Sequence, residues 1–415
     1  MLHSGHTLSL LVLLVGITVL CALLLKGWLE RIHIPGAVGF MALGFAIRLL
    51  DGRWSFLSSD VEAVFAFLAQ VGVVVLLFRI GLESNLRGLV RQLPRAGLIW
   101  LGNVGLSGIG GYLVARFVLG LDIIPSLFAG IALTATSVGV SMAVWRDKKA
   151  LRSANGELLI DVAELDDMSG VGLMAILFAL APAIHGGSNT VSILPQAAST
   201  AGAFVVKLLG FAAVCFVLSR YAEEPLTRLF KRARHPETTM LLVAGTGFVI
   251  AAVAGWLGFS LAIGALLAGL FFSRDPEAVK VDTSFESIYE LFTPFFFVGI
   301  GLELDPQSAL GGAATGCALL GVAILTKLLG TGVPALPGAG RVGAALIGLS
   351  MVPRAEIAMI VMQRGRQLGA WAVPPELYAG MVFVSAATCI AVPWTLSVLL
   401  KRWPQASSED SASAA

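Results

Sequence analysis

Apolar runs close to the length of a membrane crossing recur along this chain from Leu8 almost to Leu400, with charged residues gathered between them. About 20 consecutive apolar residues carry an α-helix through the hydrocarbon core of a bilayer. Run length and breaker residues place thirteen spans at 8–27, 34–50, 61–82, 95–119, 123–145, 157–182, 200–221, 238–256, 258–273, 285–303, 310–333, 341–363 and 376–400. The ninth is short, and only Gly258 stands between it and the eighth. The pattern predicts an all-α, polytopic membrane protein over residues 1–403. A tail of Ser, Ala and acidic residues at 404–415 is too polar and too short to fold, so it is expected to be disordered.

Composition supports that class. Hydrophobic residues make up 57% of the chain and charged residues 13%, about half the charge of a soluble domain. The 47 glycines suit helices whose backbones approach closely in lipid. Cys21, Cys215, Cys317 and Cys389 all lie in apolar runs without a CxxC pair, so neither a disulfide framework nor a cofactor metal is expected. The first run lacks a basic start and a small-residue cleavage site, and is kept as a span rather than a signal peptide. The bilayer is the expected partner, and no nucleic acid is.

Basic residues orient the spans. With the N-terminus outside and the C-terminus in the cytoplasm, nineteen of the 28 Lys and Arg residues fall inside, five outside and four within spans. That bias follows the rule that inner loops carry the positive charge, here at a cell (inner) membrane. A repeat is also visible. Ile80-Gly81-Leu82-Glu83 ends the third span and Ile300-Gly301-Leu302-Glu303 the tenth, 220 residues later. Seven spans separate them, so they point oppositely through the membrane. This is the arrangement of two inverted six-helix repeats that build a midplane site reachable from either side. Chance similarity of two helix ends is the alternative.

The sixth span carries Asp161, Glu164, Asp166 and Asp167. Asp166 and Asp167 lie roughly 15 Å into the helix at 1.5 Å per residue, where each charge costs about 2.5–3.5 kcal/mol. Such groups face a polar cavity or a partner. Adjacent helix positions diverge by about 100°, so the two need not share a partner, whereas Glu164 and Asp167 share a face. Asp161 and Glu164 lie towards the cytoplasm and could line a funnel. An ionised carboxylate offers hard oxygen ligands to a small cation and a protonated one does not, so cation and proton compete for one site. The bland alternative is a buried pair satisfied by a base.

Lys327 in the eleventh span is the obvious counter-ion, with Asp166 as its partner, unless the lysine snorkels to the inner surface. Two spans read as broken helices that would cross beside the acids. The fifth holds Thr134, Thr136 and Ser137, whose hydroxyls can bond freed backbone groups. The twelfth holds Pro353, Arg354 and Glu356, where the proline removes a helical hydrogen bond. Non-helical backbone at that depth is tolerated only within protein or around a cavity. A simple proline kink with an Arg354–Glu356 ion pair is the plainer reading. Gly338-Ala339-Gly340-Arg341-Val342-Gly343 matches GxGxxG but follows no strand, so it carries no nucleotide role. The glycines from Gly102 to Gly111 read as helix packing, Arg79 as an inward-snorkelling side chain, and the histidines as loop residues.

Together these motifs resemble the cation:proton antiporter-2 family, the sodium/proton exchanger domain of bacteria, over about residues 8–400. The resemblance rests on Leu77-Phe78-Arg79-Ile80-Gly81-Leu82-Glu83, Thr134-Ala135-Thr136-Ser137-Val138-Gly139 and Asp166-Asp167. It continues in Pro294-Phe295-Phe296-Phe297-Val298-Gly299-Ile300-Gly301-Leu302, Lys327 with Gly330, and Pro353-Arg354-Ala355-Glu356. It implies a homodimer, with spans 1–3 and 8–10 as scaffold, span 7 as linker, and spans 4–6 and 11–13 as a moving core. It further implies that Asp167 carries the ion, Na⁺ or Li⁺, and the proton, while Asp166 pairs with Lys327. An Asp-Asp pair with this lysine resembles the electrogenic sodium branch; potassium-efflux members have Gln-Asp. Ala355 departs from the glycine of many relatives. No cofactor is expected. The function read from the sequence is elevator-type exchange of a monovalent cation for protons, not enzymatic chemistry. K⁺/H⁺ exchange or K⁺ efflux is the runner-up. A sensor on an antiporter-like scaffold is the rival of another class, and an organic-anion symporter is disfavoured by two central acids.

Overall fold

The computed structural model describes residues 5–31, 34–83, 86–185, 236–272 and 283–405, with scattered positions between 202 and 217. No strand occurs among the described residues. The helices are α1 (Gly5–Arg31), α2 (Gly36–Trp54), α3 (Ser59–Glu83), α4 (Leu86–Leu113), α5 (Ile123–Thr134), α6 (Val138–Asp147), α7 (Ala154–His185), α8 (Pro236–Trp256), α9 (Leu261–Phe272), α10 (Thr283–Leu302), α11 (Pro306–Ser350), α12 (Glu356–Leu368) and α13 (Pro375–Arg402). Among the described residues, eight helical stretches are long and apolar enough to cross a membrane, and two further apolar helices are shorter. The chain is a multi-pass membrane protein. The expected seventh span, 200–221, lies largely outside the described residues, though Val214 and Cys215 within it are helical. So does the tail from 406 onward; Gln405, at its start, accepts a hydrogen bond from Asn155 of α7 at 2.8 Å.

Helix ends follow local chemistry. Gly258 divides α8 from α9 cleanly, because its φ of +90° is a conformation that stops a helix and suits glycine. Phe259 N–H then closes back on Ala254 O at 3.0 Å. Ser153 caps α7 by accepting from Gly156 N–H at 3.2 Å. Asp305 caps α11 by accepting from Gln307 N–H and Ser308 N–H, each at 3.2 Å. One boundary needs correction. The eleventh span was expected to stop at 333, but α11 continues past Pro334 and Pro337 as two helical stretches that meet at Gly340 (φ 65, ψ 176). Pro334 lacks the N–H that would bond Gly330 O, and that carbonyl instead abuts Gly102 of α4. The GxGxxG match is therefore a helix break.

The chain divides into two compact units, one of Met1–Leu24, Phe40–Leu86 and Leu194–Leu302, the other of Leu25–Gly39, Arg87–Ile193 and Glu303–Ala415. In the first, α3 packs between α9 and α10 around Phe78, whose ring centroid lies 6.5 Å from Phe272 and 5.8 Å from Phe285. Gly81 of α3 meets Gly269 of α9, where a Cβ would come within 2.8 Å of the Gly269 Cα. Gly301 of α10 meets Phe45 and Gly44 of α2 as closely, at 2.6 and 2.9 Å. With the 220-residue offset, α3 corresponds to α10 and α2 to α9, so one close crossing is built twice. Arg79 does not simply snorkel: it bonds Glu83 at 2.8 Å and Glu286 at 3.0 Å and lies 4.3 Å over the Tyr289 ring.

In the second unit, α11 packs along α13, and α5 against α7 and α12. It contains an apolar cluster around the fully buried Trp145, with Leu158, Leu159, Val162, Leu346, Ile347 and Leu396. This unit holds every residue of the candidate site.

Candidate functional site

Both expected helix breaks are present. α5 stops at Thr134 and α6 starts at Val138; α11 stops at Ser350 and α12 starts at Glu356. The two gaps lie against each other. Ser137 N–H donates to Pro353 O at 2.8 Å, Thr136 Oγ1 to Met351 O at 3.2 Å, and Ser141 Oγ to Ser350 O at 2.8 Å. Trp145 Nε1 donates to Ser350 Oγ at 2.9 Å. Backbone groups freed by one break are thus satisfied by the other, as burial away from water requires. Ala355 stands in the second gap with φ −144 and ψ −92, outside the left-handed region that favours glycine.

Charges complete the crossing. The open C-terminal end of a helix favours a cation, and each C-terminal half-helix end receives one. Lys327, fully buried, donates to Thr134 O at the end of α5 at 2.5 Å and to Thr136 Oγ1 at 2.9 Å. Arg354, also fully buried, donates to Met351 O beyond α11 at 3.0 Å. Thr136 Oγ1 also accepts from Arg354 Nη1 at 3.4 Å. Glu356 sits in the first turn of α12 and accepts from Ser137 Oγ. Arg354 and Glu356 therefore turn to different partners, and Lys327 does not snorkel.

The paired acids differ in surroundings. Asp166 is 1% exposed, and its Oδ2 lies 3.8 Å from Lys327 Nζ. Its Oδ1 accepts from Asn103 Nδ2 at 2.6 Å. Asp167 is partly exposed, and the charges acting on it are those of Asp166, Glu356, Glu164 and, oppositely, Lys327. The acids around the crossing (Asp166, Asp167, Glu356, with Glu164 close enough to act on Asp167) thus outnumber the cations Lys327 and Arg354. A proton or a monovalent cation on a carboxylate reduces that excess. Asp161 and Glu164 also have partners on α4. Arg95 Nη1 lies 3.7 Å from Asp161 and 3.8 Å from Glu157, and Gln92 Nε2 donates to Glu164 at 3.0 Å.

Sequence reasoning missed Asn103 and Thr331. Both are fully buried, and Thr331 Oγ1 donates to Asn103 Oδ1 at 3.0 Å. A signal existed: Thr331 lies four residues after Lys327, on the same helix face, and Asn103 is an amide inside an apolar run. The surrounding glycines drew attention to packing instead, which is also real. Gly102 and Gly330 abut, and a Cβ on Gly111 would lie 3.0 Å from the Gly130 Cα.

Crossed, interrupted helices with charges at their broken ends, inside a multi-pass domain, are the construction of a secondary carrier. Residues 15–402 match the sodium/hydrogen exchanger, transmembrane, family, and the chain belongs to it. The high-affinity Na(+)/H(+) antiporter NhaS3 of Synechocystis sp. is 28% identical over 363 residues, covering 86% of this chain and 76% of that protein. The Na(+)/H(+)-K(+) antiporter GerN of Bacillus cereus is 29% identical over 368 residues, covering 88% and 89%. The solved structure of the sodium proton antiporter MjNhaP1 from Methanocaldococcus jannaschii shares the fold, with TM-score 0.64 over 96% of this chain and 97% of that one at 16% identity.

Proposed function

We propose that this protein exchanges Na⁺, and by the same chemistry Li⁺, for protons across the cell's inner membrane. Asp167 is the exchangeable ligand and Asp166 the fixed partner of Lys327. The observation that carries this reading is the excess of acids over cations where the two breaks cross, with Asp166 sealed and Asp167 partly exposed. A carboxylate that water reaches can lose its proton and take a bare cation through hard oxygen contacts. Occupation by either ion lowers the net charge of the site, and with it the cost of passing the bilayer interior. The unit holding the crossing is the moving core, and the unit built on α3, α9 and α10 is the scaffold through which two copies pair as a homodimer. The N-terminus lies outside and the C-terminus in the cytoplasm. Exchange is electrogenic, following the Asp-Asp pattern. Potassium is a second candidate cation, because carboxylate oxygens alone do not choose between Na⁺ and K⁺, and GerN is named for both. The test is proton flux in proteoliposomes challenged with Na⁺, Li⁺ or K⁺ at controlled voltage. Flux with Na⁺ and Li⁺ supports the proposal, flux with K⁺ alone replaces it with potassium exchange, and no cation-dependent flux rejects exchange.

A further inference from the structure

Asp166 Oδ1 is 2.6 Å from Asn103 Nδ2, and Asn103 Oδ1 is 3.0 Å from Thr331 Oγ1. All three residues are buried. An ionised carboxylate only accepts hydrogen bonds. The Asn103 amide must therefore present its NH₂ to Asp166, which turns its oxygen to α11, and the Thr331 hydroxyl must donate to that oxygen. The chain of donors Thr331→Asn103→Asp166 runs one way, and it ends on one oxygen of one carboxylate. The other oxygen, Oδ2, accepts no hydrogen bond and faces Lys327 at 3.8 Å. A gap of that size is an ion pair without a shared hydrogen bond. Lys327 instead hydrogen-bonds to Thr134 and Thr136. The backbone contact of Gly102 with Gly330 sets α4 and α11 at the separation this bridge needs.

We propose that Asn103, oriented by Thr331, is a positioning residue of the exchange site: it holds Oδ1 of Asp166, so that Oδ2 alone faces Lys327 and the pair stays fixed beside Asp167. The inference rests on the proposed role of the Asp166–Asp167 pair. Without the amide, the carboxylate turns towards Lys327 with both oxygens, and the two charges set beside Asp167, the cation's ligand, shift. Without the Thr331 hydroxyl, the amide loses what fixes its direction, and an oxygen-to-oxygen clash with Asp166 becomes accessible.

The test is Na⁺-driven proton flux by the full chain in proteoliposomes, with apparent KM and Vmax measured separately for Thr331→Val, Thr331→Ser, Asn103→Ala and Asp167→Asn. Thr331→Val keeps the side-chain shape and Thr331→Ser restores the hydroxyl. Asn103→Ala is expected to raise the apparent KM for Na⁺ about tenfold, the scale of one hydrogen bond to a charged group, and Thr331→Val, which loses a bond to a neutral oxygen, about threefold to tenfold, while Thr331→Ser stays at the wild-type value. A purely structural role would lower Vmax with the folded fraction and leave KM alone; that result overturns the proposal. If Asn103→Ala does not fold, Thr331→Val decides by itself. Asp167→Asn separates the two readings. Wild-type flux in that variant sinks the site assignment, whereas a dead Asp167→Asn beside an unchanged KM in Thr331→Val sinks only the role of Asn103.

Discussion

Replacing Lys327 by methionine keeps most of its volume and removes its charge. Asp166 is then a carboxylate sealed from water that keeps its hydrogen bond from Asn103 but loses its counter-ion, and the Thr134 carbonyl loses its partner. At the observed 3.8 Å, two unit charges attract by about 4 kcal/mol at an effective dielectric of 20. Breaking a buried pair from one side typically costs about 3–5 kcal/mol. Both routes give a loss comparable to much of a domain's net stability. Removing both charges together, in Lys327→Met with Asp166→Asn, leaves no orphaned ion and should recover most of that loss. Thermal or denaturant unfolding of the four proteins in one detergent yields the coupling energy from the double-mutant cycle. A coupling below about 1 kcal/mol would show that Lys327 is anchored by the end of α5 alone and that Asp166 is not its partner.

Other consequences are more local. Gly102→Val places side-chain atoms against the Gly330 carbonyl and should abolish folded protein, whereas Gly105→Ala, with nothing within 4 Å of a new Cβ, should purify like wild type; equal yields would refute the close approach. Trp145→Phe removes the donor to Ser350 Oγ and should lower stability by about 1–3 kcal/mol, read by unfolding in detergent. The Asp305 carboxyl at the start of α11 is held below the usual carboxylate range by the Ser308 hydroxyl and then by the Gln307 N–H. Its cap therefore contributes stability at neutral pH that is lost as pH falls through that lowered value. Asp305→Ala should be less stable than wild type at pH 7 and converge with it in acid, and a gap that persists in acid would contradict the cap.

Much of this architecture is legible in the amino-acid order because lipid enforces it. A span in hydrocarbon must satisfy its backbone internally, so length and polarity alone mark α3, α4, α7 and α13. The same rule exposes the breaks: hydroxyl-rich Thr134–Ser137 and proline-containing Pro353–Glu356 stand out as backbone that needs outside partners. Asp166, Asp167 and Lys327 stand out because charge is expensive at depth. What stayed hidden depends on which residues meet across helices. Proline at 334 reads as a helix end, yet the carbonyl it frees settles against Gly102 and α11 continues. Asn103 looked incidental because its importance comes from Asp166 on α7 and Thr331 on α11, 63 and 228 positions away. Arg79 looked like an ordinary snorkelling side chain until Glu286, 207 positions along the chain, appeared beside it.

Asp167→Asn is the substitution that bears most directly on how exchange works, since the amide keeps the side chain's shape but can neither ionise nor release a proton. Reconstituted protein should then fold normally, bind no Na⁺ by calorimetry and show no Na⁺-dependent proton movement, while the wild type shows both. Sodium-driven proton movement at the wild-type rate in correctly folded Asp167→Asn would place the exchangeable site elsewhere.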